Sequence, residues 1–137
     1  MGNRRKTRAA FKIKQNTKYE NTTPELALDE ICGKLGLVLI SGKEIQVPGF
    51  TLKVDRQVQD TDVVFEALGP HHFTDIQRQK TSWRTDLLVQ SGLRVLLIES
   101  ELLVCHGLQD SRRFHPYVAI AISEFLLSDE KVKYLRA

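Results

Sequence analysis

The chain has few residues that form covalent or metal cross-links, and its hydrophobic runs are short. Only two cysteines occur among 137 residues, Cys32 and Cys105, and their separation fits no zinc-ligand spacing. We therefore expect both to be buried thiols in a reducing cytosol. No run of about 18 apolar residues is present, and the basic N-terminus lacks an apolar core segment. These absences predict a cytoplasmic or nucleoid-associated protein with neither a membrane span nor a secretory signal.

Acidic residues are missing from the first 19 positions, where seven basic residues occur. Because the whole chain carries a net charge of +3, the remaining residues are mildly acidic overall. A basic segment of this kind is typical of nucleic-acid binding, since lysines and arginines that neutralise phosphates release counterions. A solubilising tail is the alternative. We predict a flexible arm over residues 1–20, with these candidate phosphate contacts: Arg4, Arg5, Lys6, Arg8, Lys12 and Lys14.

Residues 21–137 predict one α/β domain, because the length suffices for one hydrophobic core but not for two. A capping-box pattern at Thr22 and Glu25 begins a helix, which Gly36 ends. Apolar periodicity predicts later helices over 75–90 and from about residue 116. Strands are predicted over 37–40, 44–47, 50–55, 61–68 and 93–99, and we expect 50–55 to form a hairpin with 61–68.

Two carboxylates stand out in the predicted hairpin. Asp55 ends the alternating stretch 50–55, and Glu66 interrupts the otherwise apolar stretch 61–68. An ionised carboxylate in a buried strand is costly unless it is paired or binds a metal. If the two strands pair, the acids meet, and a divalent cation such as Mg²⁺ or Mn²⁺ would relieve their repulsion. The alternative is that Asp55 is a turn residue and that Glu66 pairs with a basic residue of a neighbouring helix.

Four features between residues 22 and 101 together resemble the PD-(D/E)XK nuclease superfamily, and within it the Vsr-like branch of very short patch repair endonucleases. They are the helix start TPELAL with Glu25, the spacing from Asp55 to Glu66, the pattern E-x-x-G-x-x-H at Glu66, Gly69 and His72, and the run WRTDLLVQSGLRVLLIES. The resemblance implies a restriction-endonuclease-like core, with a central mixed β-sheet flanked by helices. The chain departs from the pattern at Leu68, where the superfamily has a lysine.

The resemblance also implies a function, which is metal-dependent hydrolysis of phosphodiester bonds in DNA during repair, recombination, restriction or mobile-element transfer. Asp55 and Glu66 would hold Mg²⁺ or Mn²⁺, and Glu25 would complete the metal site, although helix capping alone also explains Glu25. His72 would act as the general base or orient the attacking water. Lys80 would replace the missing lysine.

The predicted helix over 75–90 carries further basic and apolar residues. Arg84 lies four residues after Lys80 and would project beside it toward nucleic acid, although a solvated face explains both equally well. Trp83 and Leu87 share a helical face, which predicts core packing rather than a base-stacking platform.

Two other functions fit the same residues. Leu68 supports a catalytically inactive nuclease fold that binds nucleic acid or serves as an assembly module. The charge distribution also suits an RNA-processing nuclease. If the protein cuts duplex DNA, its small size favours a homodimer, because symmetric subunits match the two strands. The sequence identifies no dimer surface.

Overall fold

The computed structural model describes residues 23–69, 74–104 and 111–137. The elements in this part of the chain are α1 (Thr23–Lys34), β1 (Leu39–Ser41), β2 (Glu44–Val47), β3 (Phe50–Lys53), β4 (Arg56–Val58), β5 (Val63–Leu68), α2 (Asp75–Gln90), β6 (Arg94–Glu99), two short 3-10 helices (Ser100–Leu102 and Ser111–Phe114), α3 (His115–Leu127) and β7 (Val132–Leu135). The basic arm, residues 1–20, lies outside the described residues.

A five-stranded mixed sheet organises the fold, with the strand order β1-β4-β5-β6-β7. β4 pairs antiparallel with β1 and β5, whereas β6 pairs parallel with β5 and β7. Helices α1 and α3 pack on one face of this sheet, and α2 packs on the other face. The predicted central mixed sheet flanked by helices is therefore confirmed.

The two central strands are apolar on both faces, which is why they read as continuous hydrophobic runs. Because side chains alternate along a strand, Phe65 of β5 packs toward α1 and α3, and Val64 packs toward α2. Glu66 follows Val64 by two residues and therefore lies on the α2 side of the sheet. This placement directs the carboxylate of Glu66 toward α2.

The predicted hairpin is wrong in its first strand. β3 pairs with β2 in a separate two-stranded sheet, and the short β4 pairs with β5. A Pro48-Gly49 turn closes the β2–β3 hairpin, and Gly49 has a φ of 94°, which favours glycine. The chain then changes sheets at Val54 and Asp55, since the Val54 amide still donates to the Lys43 carbonyl, at 3.0 Å. Asp55 consequently lies at the junction between the two sheets.

The helix α2 has the predicted bounds, but one of its side chains does not pack as expected. The Thr74 hydroxyl caps the start of α2 by accepting a hydrogen bond from the Gln77 amide, at 3.2 Å. Trp83 is 54% exposed and contacts Phe50, with ring centroids 5.2 Å apart. The prediction of a core role for Trp83 is wrong, because this part of α2 carries the small β2–β3 sheet rather than the main core.

The edge strand β7 was not predicted. It has only four residues, Val132–Leu135, and pairs parallel with β6. Among the residues that the structure describes, no helix has both the length and the hydrophobicity needed to cross a bilayer.

Candidate active site

Main-chain hydrogen bonds bring Asp55 and Glu66 together. The Asp55 amide donates to Glu66 Oε2 at 2.8 Å, and the Ala67 amide donates to Asp55 Oδ2 at 2.9 Å. The Asp55 carboxylate therefore accepts a hydrogen bond from the backbone of β5, and the Glu66 carboxylate accepts one from the backbone just before β4. The kink before β4 makes this possible, because it exposes the Asp55 amide to β5.

Glu25 approaches the same point from α1. It lies in the first turn of α1, is only 4% exposed, and makes a side-chain hydrogen bond with Asp55. A hydrogen bond between two carboxyl groups needs a proton on one of them. Burial, and next the charge of Glu25, raise the pKa of Asp55 from 3.8 to about 7. The Asp55 carboxyl therefore keeps its proton to a higher pH than most surface carboxylates do.

Glu66 is balanced by a cation from α2. Arg84 Nε lies 2.7 Å from Glu66 Oε1, and the same guanidinium also donates to the Lys53 carbonyl. Burial raises the pKa of Glu66, and the charge of Asp55 raises it further, whereas Arg84 opposes both effects. This contact is therefore the one that the alternative interpretation predicted, in which Glu66 pairs with a basic residue of a neighbouring helix. Lys80 lies one helical turn earlier on α2 and is exposed.

A second arginine, Arg56, fixes the backbone at Asp55. It is 1% exposed and forms two hydrogen bonds with the Asp29 carboxylate, at 2.7 and 2.9 Å. Its Nη1 donates to the Asp55 carbonyl at 2.8 Å and lies 4.0 Å from Glu25 Oε1. The hydrogen bond that Arg56 donates to Asp29 is the main cause that raises the pKa of Arg56. Arg56 therefore ties α1 to the start of β4.

Sequence reasoning missed Arg56 and Asp29. The sequence offered one signal, which is that Arg56 directly follows Asp55. The structure adds that Arg56 belongs to a strand whose three residues are all buried. A charged residue in a buried strand needs a partner. Asp29 lies four residues after Glu25 and therefore shares its helical face.

Leu68 stands where the PD-(D/E)XK pattern has a lysine, and in this structure it packs in the core. Its side chain is 8% exposed and belongs to the apolar cluster that includes Val64, Leu88 and Leu97. Leu68 and Glu66 lie two residues apart on the same face of β5. Within the described residues, the cation that contacts Glu66 on this face is therefore Arg84, which comes from α2.

The donor atoms at this site fit a hard divalent cation. Glu25, Asp55 and Glu66 supply carboxylate oxygens, which Mg²⁺ and Mn²⁺ prefer. Across residues 23–69, 74–104 and 111–137, however, no three His, Cys, Asp or Glu side chains are arranged to hold a metal ion. Glu66 directs one oxygen at Arg84 and the other at the Asp55 amide. Glu25 and Asp55 contact each other at the same point, so three carboxylates converge there.

Two sets of predicted site residues lie outside the described residues. They are His72, and the arm residues Arg4, Arg5, Lys6, Arg8, Lys12 and Lys14. Their roles stay predictions.

Comparison with known proteins adds a structural relative. No family model matches the chain, and no curated protein matches it. Among solved structures, the chain is similar to one described as "Homing Endonuclease I-Bth0305I Catalytic Domain", with 22% sequence identity and a TM-score of 0.55. The match covers 78% of this chain and 96% of that domain. The chain therefore shares its restriction-endonuclease-like fold with the catalytic domain of a homing endonuclease.

Proposed function

We propose that this protein is an endonuclease that uses Mg²⁺ or Mn²⁺ to hydrolyse phosphodiester bonds in DNA. The observation that carries the proposal is the convergence of three carboxylates: Glu25 from α1, Asp55 from the segment between β3 and β4, and Glu66 from β5. A raised pKa at Asp55 means that its charged form is unfavourable in the folded protein. Such a buried carboxylate lowers stability, so its presence supports a functional role. A site that binds a divalent cation does need such charges.

The fold and the charge distribution support the same proposal. The solved structure with a similar fold is described as a homing endonuclease catalytic domain, and the similarity covers 78% of this chain. The basic arm would add phosphate contacts that do not depend on sequence. Membership of the Vsr-like branch, and action in repair, recombination, restriction or mobile-element transfer, are the finer parts of the proposal.

The residues at the site would divide the catalytic work. Glu25 and Asp55 would hold the cation, with Glu66 as the third acid of the set. When bound, a divalent cation lowers the pKa of a coordinated water and withdraws charge from the scissile phosphate. Arg56 keeps Asp55 in place through the Asp55 carbonyl. Arg84 provides a permanent positive charge beside Glu66, where it would stabilise charge that develops on the phosphate.

Two predicted residues complete the proposed mechanism. His72 would accept or position the proton of the attacking water. Lys80 is exposed on α2, one turn from Arg84, and would contact the phosphate backbone. Cleavage of both strands would favour a homodimer, which sedimentation equilibrium of the full chain tests directly.

The second candidate is a nuclease fold that binds nucleic acid without cutting it. Both oxygens of Glu66 accept hydrogen bonds within the protein, and Leu68 is buried where the superfamily has a lysine. These two observations favour a site whose acids serve structure. An RNA-processing nuclease is a third candidate, because phosphate binding by a basic arm does not distinguish RNA from DNA.

A cleavage assay separates the three candidates. Labelled plasmid, mismatched, flap and junction DNAs, and a matched RNA duplex, would be incubated with the protein in Mg²⁺, Mn²⁺ or EDTA. We expect metal-dependent cleavage of DNA that is lost in Asp55→Asn and in Glu66→Gln. Glu30→Gln is the matched control, because Glu30 is an exposed glutamate on α1 that pairs only with Lys34 in the described contacts. Binding without cleavage in both metals would establish the non-catalytic candidate, and cleavage of RNA alone would establish the third.

A further inference from the structure

A concave site lies on the face of the sheet that carries Glu66. This cavity, the α2–β7 pocket, has a volume of about 470 Å³. Its walls combine apolar surface from Leu97 and Val132 with polar side chains, which include Arg78, Thr81, Thr85, Glu99, Tyr134 and Arg136. Pockets for small ligands have volumes of roughly 300–1,000 Å³. None of the three acids of the candidate active site contributes to its lining.

The pocket adjoins the candidate active site through the sheet. Leu97 of β6 lines the pocket and is paired in register with Glu66 of β5. Because β5, β6 and β7 are parallel, their carboxyl ends meet at one edge, where Glu99 and Arg136 lie. Ligands of open α/β sheets bind in crevices at that edge. A ligand in the pocket would therefore lie on the same face of the sheet as Glu66.

The pocket contains groups that bind phosphate and a flat ring. The guanidinium of Arg136 lies over the ring of Tyr134, 4.8 Å from its centroid. A guanidinium stacked in this way presents a planar outer face on which a nucleobase can stack. Arg78 lines the same cavity from α2 and also pairs with Asp75 at 4.0 Å, so two arginines that can each donate to a phosphate line the pocket.

The remaining lining groups exclude a simple anion as the best ligand. Glu99 and Asp86 bring negative charge to the pocket, and Glu99 is held by the Ala137 amide at 2.7 Å and by a hydrogen bond with Tyr134. A carboxylate repels an anion but accepts hydrogen bonds from an exocyclic amino group. The hydroxyls of Thr81 and Thr85 both donate and accept. The ligand that satisfies this set has a phosphate, a planar ring and amino donors.

We infer that the α2–β7 pocket binds one unstacked nucleotide of the substrate strand, with its phosphate on Arg78 and Arg136 and its base stacked on Arg136. The inference rests on the proposed function, since it assigns part of the nucleic-acid substrate to this pocket. Asp86, at the rim, favours a base with an amino group over thymine. The pocket would thereby hold the strand in position next to Asp55 and Glu66.

Binding of mononucleotides tests the inference without metal and without catalysis. The full chain would be titrated with dCMP, dTMP and inorganic phosphate in EDTA, followed by NMR or calorimetry. We expect dCMP to bind more tightly than dTMP and phosphate. Arg136→Ala should weaken dCMP binding by roughly 5- to 150-fold, the range expected for loss of one stacked base. Arg78→Ala should weaken it as well.

Arg113→Ala is the matched control. Arg113 also stacks on an aromatic ring, with its guanidinium 4.8 Å from the centroid of Phe114, but it does not line the α2–β7 pocket. Asp86→Asn should reduce the preference for dCMP over dTMP. With DNA as substrate, Arg136→Ala should raise KM or lower kcat, and Arg113→Ala should change neither.

Several results would overturn the inference. They are phosphate binding as tight as dCMP binding, equal weakening by Arg113→Ala and Arg136→Ala, or no dCMP binding at all. If the protein cleaves DNA but binds no dCMP, the nucleotide-binding role of the pocket is refuted and the proposed function stands. If it binds dCMP but cleaves no nucleic acid, the proposed function is refuted and the nucleotide-binding role of the pocket stands.

Discussion

Replacing Asp55 with asparagine should stabilise the metal-free protein at neutral and alkaline pH. In the folded protein, Asp55 accepts a hydrogen bond from the Ala67 amide and makes a second one with Glu25. The asparagine oxygen can accept the first bond, and its amino group can donate the second. Asp55→Asn therefore removes the charge and retains both contacts.

The sign and the magnitude follow from the pKa of Asp55. Its folded value, about 7, exceeds the reference value of 3.8, so the folded protein binds the proton more tightly than the unfolded chain does. Stability therefore falls as the pH rises from about 4 to about 7, and stays at the lower level above that. One pKa unit corresponds to about 1.4 kcal/mol, so the full rise is worth at most about 4 kcal/mol. Because solvent reaches part of the side chain, we expect Asp55→Asn to gain roughly 1–3 kcal/mol at pH 8.

Thermal unfolding in EDTA at pH 4, 6 and 8 measures this gain. For a chain of this length, each kcal/mol shifts Tm by roughly 3–5 °C. Asp55→Asn should match the wild type at pH 4 and melt higher at pH 8. Asp62→Asn, an exposed change in the β4–β5 turn, is the control and should behave like the wild type throughout. A variant that is less stable than the wild type at pH 8, or that gains equally at pH 4, would show that Asp55 carries no unfavourable charge.

Four further predictions address the metal, the cations, the base and the arm. Mg²⁺ or Mn²⁺ should raise the Tm of the wild type at pH 8 and leave that of Asp55→Asn unchanged, because only the former gains binding free energy in the folded state. In single-turnover assays, Arg84→Ala should lower the rate more than Lys80→Ala, and Arg84→Lys should restore part of it; equal losses would mean that the contact with the acidic strand has no catalytic role. His72→Ala should reduce the rate by roughly 10²- to 10⁴-fold at unchanged DNA affinity, and the wild-type rate should fall below about pH 6.5. Deletion of residues 1–18 should weaken DNA binding and flatten the slope of log K against log salt, with little effect on Tm.

The sequence predicted the elements whose periodicity is long and regular. The helix over 75–90 and the two central strands were placed correctly, because each carries a complete apolar pattern. The pairing of β3 was mispredicted, since apolar alternation continues through Val54 and does not reveal that the chain changes sheets there. β7 escaped prediction because four alternating residues are too few to distinguish an edge strand from a loop.

The site was predictable where one residue contradicts its local pattern, and unpredictable where packing decides. Glu66 was conspicuous because it is charged within an apolar run. Lys80 and Arg84 lie four residues apart on one helix, so spacing alone favours neither, and only the position of α2 over the sheet brings Arg84 to Glu66. The contact of Glu25 with Asp55 depends in the same way on how α1 packs.

In the PD-(D/E)XK pattern that the sequence resembles, a lysine stands at the position of Leu68, whereas in this structure the cation beside Glu66 comes from a different element. Arg84 approaches Glu66 from α2, and a guanidinium stays protonated at every pH at which the protein is folded. A lysine in a buried position would lose its proton more readily. The cation of this pair therefore does not switch with pH, whereas burial and the charge of Glu25 raise the pKa of Asp55 to about 7. Metal binding and proton release are thus expected at the junction of α1 and β4, while Arg84 supplies a constant positive charge beside Glu66.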